Sequence, residues 1–394
     1  MGKNESAGFP VRMNGKSQMV SGFRLYVVWT GMILTIIRIA LKTSRNPYHA
    51  LFLLRSLVIE RKSIHGNAGR NKAVKSDSKY YWSINIPGWP SEKFNYFIAN
   101  EFRRIISPET GALQTMIFSI TNVCPLNCIH CYESDNLANS NRLSLNELKS
   151  VMGKIHEKGI RHIQFSGGEP LCRLNDMIEL MKYSGNSTDY WVSTSGFGLT
   201  PEAAAKMKAH GMTGVIISLD HWDEDRHNAF RNHDRSFYWV KEAAKNCHEA
   251  GMIVCLSLCP VREFVTEENL NKYYLLAKQT GAGFIRIMEP MKTGRFKGKD
   301  ILLHAREAEI LSDFMNKCNR NPAYARFPVI LYGGYHQRKT GCYGAGNRYM
   351  FIDSNGNYHS CPFCRNMLGN VRTESLDLAI TKARGSGCQL FHKA

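Results

Sequence analysis

"MIFSITNVCPLNCIHCYES", residues 116–134, runs from an apolar, β-prone pentapeptide into a loop that packs Cys124, Cys128 and Cys131 into eight positions. Met116 to Ile120 read as a strand, since β-branched and aromatic residues dominate them. The thiols therefore stand at that strand's carboxyl end. The chain's 12 cysteines follow no secreted disulfide framework, so three thiols this close point to metal ligation in a reducing compartment. A zinc knuckle usually completes four ligands from two Cys or Cys/His pairs. Three thiolates instead suit an iron–sulfur cubane, which normally takes four and here leaves one iron open to a small chelating ligand.

Outward from this stretch, the strand, loop and helix unit recurs six times. Further strands are expected at His162 to Ser166, Tyr190 to Thr194, Gly214 to Leu219, Ile253 to Leu258 and Phe284 to Met288. The helices between them have readable ends: Ser144 with Glu147 as a capping box, Thr200 before Pro201 as an N-cap, and Gly211, Gly251 and Gly281 as stops. This alternation predicts a parallel sheet with right-handed crossovers, open or curled. The unusual residues separate the two forms. The triplet follows the first strand, Gly167 to Pro170 the second, Ser193 to Gly196 the third, Ser218 to Asp220 the fourth and Met288 to Pro290 the sixth. A barrel gathers such ends at one mouth, whereas an open sheet spreads them along an edge. The expected fold class is α/β, a partial (β/α)6 barrel of the TIM type.

The spacing Cys-x3-Cys-x2-Cys, with His130 before the last cysteine, resembles the signature of the radical S-adenosylmethionine superfamily, and the likeness runs from about Met116 to Cys388. It implies that Cys124, Cys128 and Cys131 hold a 4Fe-4S cluster whose open iron is chelated by S-adenosylmethionine. One electron then cleaves that cofactor to a 5′-deoxyadenosyl radical, which takes hydrogen from a substrate. The same likeness gives His130 an aromatic-like position beside the cofactor and lets the backbone at Gly167 and Gly168 approach its amino group. Glu169 then offsets the amino charge, Ser218 hydrogen-bonds the cofactor, and Arg231 pairs with its carboxylate. Read singly, Gly167 and Gly168 also make an ordinary tight turn, and Arg231 an ordinary surface arginine.

Downstream, "GCYGAGNRYMFIDSNGNYHSCPFC", residues 341–364, predicts a hairpin in which Arg348 to Ile352 pairs with Tyr358 to Cys361 across an Asn-Gly turn at Asn355 and Gly356. It draws Cys342 and Cys361 together, with Cys364 three residues on. This resembles the auxiliary-cluster domains called SPASM and twitch, and the shorter twitch form fits, implying a small C-terminal α+β domain with a second 4Fe-4S cluster. Cys388 is its fourth candidate ligand, or a free cysteine. Cys172, Cys247, Cys255, Cys259 and Cys318 read as packing residues.

The formal charge of +18 is concentrated: residues 1–79 carry a net +11. There the uncharged run Leu25 to Ile37 and a second apolar segment, Ala50 to Ile59, flank Pro47, which predicts two helices in a basic, apolar N-terminal arm. The first run is short for a membrane span and lacks a signal-peptide cleavage site. The arm therefore either lies on an anionic membrane surface or packs on its own domain or an oligomer partner. Nucleic acid is excluded as a partner, because the basic residues alternate with aliphatics rather than exposed stacking aromatics. The expected organisation is an arm over 1–63, a polar linker over 64–79, a lead-in over 80–115, a radical S-adenosylmethionine core over 116–300, a connecting helix and loop over 301–341 and the auxiliary domain over 342–394.

Two functions remain open on sequence: a radical enzyme acting on a membrane lipid, a peptide or a small metabolite, or an iron–sulfur electron-transfer or sensor protein without turnover. The first requires an electron donor such as flavodoxin or ferredoxin and a cytoplasmic location, with or without attachment to the membrane's inner face. No catalytic base is assigned. In a related maturase family an aspartate follows an auxiliary cysteine, but here Pro362 follows Cys361.

Overall fold

The computed structural model describes residues 17–44, 46–65, 71–108, 113–137, 142–342 and 344–384. In chain order the strands are β1 (Ser17–Ser21), β2 (Lys72–Ser76), β3 (Lys79–Tyr81), β4 (Thr115–Ser119), β5 (His162–Ser166), β6 (Asp189–Thr194), β7 (Met212–Ser218), β8 (Ile253–Leu258), β9 (Phe284–Ile287), β10 (Val329–Tyr332), β11 (Tyr349–Ile352), β12 (Asn357–His359) and β13 (Gly369–Asn370). The helices are α1 (Gly22–Ser44), α2 (Pro47–His65), α3 (Glu92–Ile106), α4 (Ser134–Leu137), α5 (Leu145–Glu157), α6 (Leu174–Ser184), α7 (Pro201–Ala209), α8 (Glu224–Arg231), α9 (Ser236–Ala250), α10 (Glu267–Gln279), α11 (Ala305–Arg320), α12 (Gly333–Thr340) and α13 (Leu376–Arg384).

The six expected strands are β4 to β9, parallel and adjacent in sequence order. Along each strand, alternate residues face outward and inward. Phe118, Phe165, Val192, Ile217, Leu256 and Ile285 point outward into the main core beneath the helices. On the inner face Trp191, Ile216, Cys255, Phe284 and Leu331 meet Val74, Tyr81 and Ile84, which close the amino-terminal end of the barrel. The capping predictions hold at Ser144, whose side chain and Glu147 form a reciprocal box, and at Thr200.

Two boundaries differ from expectation. Residues 72–76 are not linker: β2 pairs antiparallel with β1 and β3, and the Lys72 ammonium is buried on the Tyr274 hydroxyl at 2.8 Å and the Cys318 carbonyl at 2.9 Å. The folded unit thus reaches back to Ser17. The segment expected as a connecting helix and loop, 301–341, also contributes β10, parallel to β9, and the Asn-Gly hairpin joins the main sheet through β11, parallel to β4. The hairpin itself forms as expected, with Phe351 opposite His359 and Ile352 opposite Tyr358.

The arm is a helix pair lying along α3. Ala40, Ala50 and Leu53 are buried against Phe94, Ile98 and Phe102, and the Trp89 indole N–H donates to Thr35 Oγ1 at 3.1 Å. Glu60 pins α2 through Arg104 at 2.5 Å and Arg348 at 2.8 Å. The opposite face is bare: Phe23, Leu34, Tyr48 and Ile59 are 81, 58, 85 and 64% exposed.

Candidate active site

The loop after β4 is gripped from both sides. On one side Gly168 N–H donates to the Thr121 carbonyl at 2.8 Å and Glu169 N–H to the Val123 carbonyl at 2.7 Å. Gly167, at φ +143°, and Gly168 lie so close that a Cβ would collide with the carbonyls of Thr121 and Val123. This is more than a tight turn: the glycines bring two backbones together beside the thiols. On the other side Arg295 N–H donates to the Cys131 carbonyl at 3.1 Å, and its guanidinium to the Cys128 carbonyl at 2.7 Å. Sequence reasoning passed over Arg295; Gly294, whose φ is +54° where any Cβ would strike the Cys131 carbonyl, is the signal for it.

Burial pushes the Cys124 thiol up to about 12 and the Cys131 thiol up to about 11. Coordination to a metal centre, which deprotonates thiols outright, would turn them into thiolates. Among the described residues no three His, Cys, Asp or Glu side chains close up as the ligand set of a single metal ion. The donor set is three soft sulfurs on a clamped loop with a glycine cradle beside it. That fits an iron–sulfur cubane with an open iron.

Around the triplet, Arg231 is buried, with Nη1 3.7 Å from Cys128 Sγ and Nη2 2.6 Å from the Asp220 carboxylate. It is no surface arginine, and its nearest partners are a thiol and a carboxylate of its own chain. Burial pushes the Asp220 carboxyl up, but the Arg231 guanidinium and two nearby imidazoles outweigh it and hold the group below its ordinary value. Asp220 also accepts from the Cys259 N–H at 3.0 Å, and its own N–H donates to His227 Nδ1 at 3.1 Å. Burial lowers His130 to about 4, and its ring packs 4.6 Å from that of Phe230, an apolar surface at the edge of the thiol loop.

Both oxygens of buried Glu169 are engaged, by Thr194 Oγ1 at 2.7 Å and by the Ser195 N–H and hydroxyl at 2.8 and 2.5 Å. Glu169 ties the loops after β5 and β6 together. Ser218 ends β7 half-buried on its inner face. Glu289 is paired with Arg338 and accepts from the Tyr332 hydroxyl at 2.7 Å, a structural role.

In the C-terminal segment the Cys364 N–H donates to Cys361 Sγ at 3.2 Å, and Gln337 Nε2 to Cys342 Sγ at 3.8 Å. Cys388 lies outside the described residues. Contacts that were not visible in sequence link this segment to the triplet. Tyr132, next to Cys131, meets the Phe363 ring edge-on at 5.6 Å, and buried Glu133 pairs with Arg365, next to Cys364, at 2.8 Å.

Residues 118–277 match the family model described as the radical SAM superfamily. The chain is 25% identical over 287 residues to an AdoMet-dependent heme synthase of Methanosarcina barkeri, spanning 67% of this chain and 81% of that protein. It is 28% identical over 279 residues to mycofactocin maturase MftC of Mycolicibacterium smegmatis, spanning 66% and 67%. Its fold is similar to that of Streptococcus suis SuiB bound to precursor peptide SuiA, with a TM-score of 0.56, 12% identity and coverage of 84 and 77%. It also resembles anSMEcpe with bound AdoMet, with a TM-score of 0.54, 18% identity and coverage of 69 and 82%.

Proposed function

Because this chain belongs to the radical S-adenosylmethionine superfamily, we propose that the barrel interior beneath the clamped thiol loop is the active site of a radical enzyme that takes hydrogen from an amphiphilic, membrane-associated substrate. When bound, the 4Fe-4S cluster and S-adenosylmethionine supply a 5′-deoxyadenosyl radical. Cys124, Cys128 and Cys131 would hold the cluster, and Arg231 would offset charge at Cys128 more than it would pair with the cofactor's carboxylate. The backbone at Gly167 and Gly168, the ring of His130 and the hydroxyl of Ser218 would line the cofactor. Glu169 would position that backbone through Thr194 and Ser195 instead of meeting the amino group itself. Cys342, Cys361 and Cys364 would hold the auxiliary cluster. A flavodoxin or ferredoxin would supply the electron in the cytoplasm.

The observation that carries this reading is the double clamp on the thiol loop, with Gly167 and Gly168 on one flank and Arg295 on the other. The membrane part rests on the bare apolar faces of α1 and α2 with their basic neighbours Arg24, Arg38, Lys42 and Arg55. Anaerobically reconstituted protein with S-adenosylmethionine and dithionite should release 5′-deoxyadenosine, and Cys128→Ala should not. Equal release by both would sink the radical reading, and release by neither would favour an iron–sulfur carrier.

A further inference from the structure

The inner face of the barrel changes character along its length. Beyond the apolar floor, the inward positions of successive strands are Gln164, Ser193, Ser218, Ser257 and Arg286, each flanked by residues that point into the outer core. Ser193, Ser218, Ser257 and Arg286 keep accessible surface, while the residues beside them in their strands are buried. The inner wall between the floor and the thiol loop is therefore polar and retains accessible surface. Ser218, Ser257 and Arg286 form one row across β7, β8 and β9, since Ser218 pairs with Ser257 and Ser257 with Arg286. Tyr132, beside Cys131, reaches the same wall and meets the Ser166 hydroxyl at 2.9 Å.

Arg286 is the one member of this row with a charge. Its Nε and Nη2 donate to Ser257 Oγ at 3.3 and 3.2 Å, leaving most of its five N–H donors unspent. Among the described residues no Asp or Glu forms an ion pair with it. Glu289, three residues on, is taken by Arg338. Burial lowers its proton affinity, yet a guanidinium keeps its charge in proteins. A half-buried cation without a counter-ion is costly to a fold that gains nothing from it, and a planar fork with spare donors on the barrel's inner face matches a carboxylate or phosphate in bidentate fashion.

We propose that Arg286, oriented by Ser257, is the anchor for an anionic group, a carboxylate or phosphate, carried by the substrate. This rests on the barrel interior being the active site. It adds a charged head to the apolar character of the arm: the substrate is an acidic amphiphile, held by its head while a carbon is brought to the mouth.

The test uses cluster-reconstituted full-length protein, phenylglyoxal as the arginine reagent and peptide mapping to follow Arg286. Inorganic phosphate or propionate at twice its Kd should slow labelling of Arg286 about threefold, while neutral propionamide should not. Labelling indifferent to both anions overturns the proposal. Arg286→Met should raise the melting temperature by about 2 °C or more, because it removes a half-buried charge that has no counter-ion; a fall would make the guanidinium structural and overturn the proposal. S-adenosylmethionine should bind this variant as tightly as the parent, and a tenfold weaker affinity would assign Arg286 to the cofactor and overturn the proposal. Parent protein that binds no S-adenosylmethionine would instead count against the radical reading itself.

Discussion

Asp220 serves three neighbours: its carboxylate meets the Arg231 guanidinium at 2.6 Å and the Cys259 N–H at 3.0 Å, and its backbone N–H donates to His227 Nδ1 at 3.1 Å. Removing one partner of a buried ion pair leaves the other uncompensated, so Asp220→Ala should destabilise the iron-free protein by about 3–5 kcal/mol in denaturant unfolding. A loss near zero would mean that Arg231 escapes to solvent. His227 adds a pH dependence. Burial lowers its folded-state value to about 3, from 6.5 when unfolded. Above pH 6.5 both states hold it neutral and its contribution is full. As pH falls from 6.5 toward 3 only the unfolded chain gains the proton, and stability drops by up to about 1.4 kcal/mol per pH unit. His227→Asn keeps an acceptor for the Asp220 N–H and should flatten that part of the slope between pH 6.5 and 4.5; an unchanged slope would place the acid sensitivity elsewhere. The thiol triplet was legible from its spacing, and Gly167 and Gly168 only through the family resemblance. The partners of Glu169 and Arg231 were not, because Thr194, Ser195 and Asp220 reach them only once separate strand ends converge.

Individual elements declared themselves where local chemistry agreed with the fold. The strands β4 to β9 have dense β-branched and aromatic runs, and α5 and α7 have capped starts. β2, "KAVKS", has no such run and is a strand because β1 and β3 flank it and Lys72 is buried on Tyr274. β10 and β11 extend the sheet at its two ends by pairing with β9 and β4, a property of neighbours that periodicity does not carry. α1 is longer than its apolar centre implied, 23 residues and long enough by length and composition to cross a membrane. Yet Leu25, Val28 and Ala40 are buried, and Thr35 is tied to Trp89, so the helix lies along the folded core. Such a helix pair suits the plane of a membrane interface. The cleanest test leaves the inner face intact, since deleting the arm would bare Phe94, Ile98 and Phe102 on α3. Replacing Phe23, Leu34, Phe52 and Ile59 together with Gln should abolish flotation with vesicles containing phosphatidylserine while leaving the melting temperature within about 2 °C. Parent protein that never floats with those vesicles would remove the membrane from the proposal.

Across the whole molecule the two cysteine arrays are far apart in sequence but joined in space. The two residues after Cys131 meet the two that flank Cys364: Tyr132 with Phe363, and Glu133 with Arg365 at 2.8 Å. Glu133 is also held by Asn136 at 2.8 Å, and Asn136 reaches Asp353 at the head of the Asn-Gly hairpin at 3.3 Å. A sheet that carries β11 beside β4 makes this possible, for it sets the loop of Cys361 and Cys364 against the wall from which the triplet springs. If Cys342, Cys361 and Cys364 hold a second cubane, anaerobically reconstituted protein should contain about eight irons per chain. A Cys361→Ala, Cys364→Ala double variant should then contain about four and still release 5′-deoxyadenosine with a chemical reductant, since the first cluster alone serves that step. Glu133→Gln sharpens the inference. It keeps the shape of the side chain but weakens the charge-assisted bond to Arg365, so it should leave both irons and cofactor cleavage intact while altering the auxiliary cluster's electron paramagnetic resonance signal. A parent protein holding about four irons, unchanged by the double substitution, would make these cysteines structural thiols and the Glu133–Arg365 bridge a packing contact between two loops.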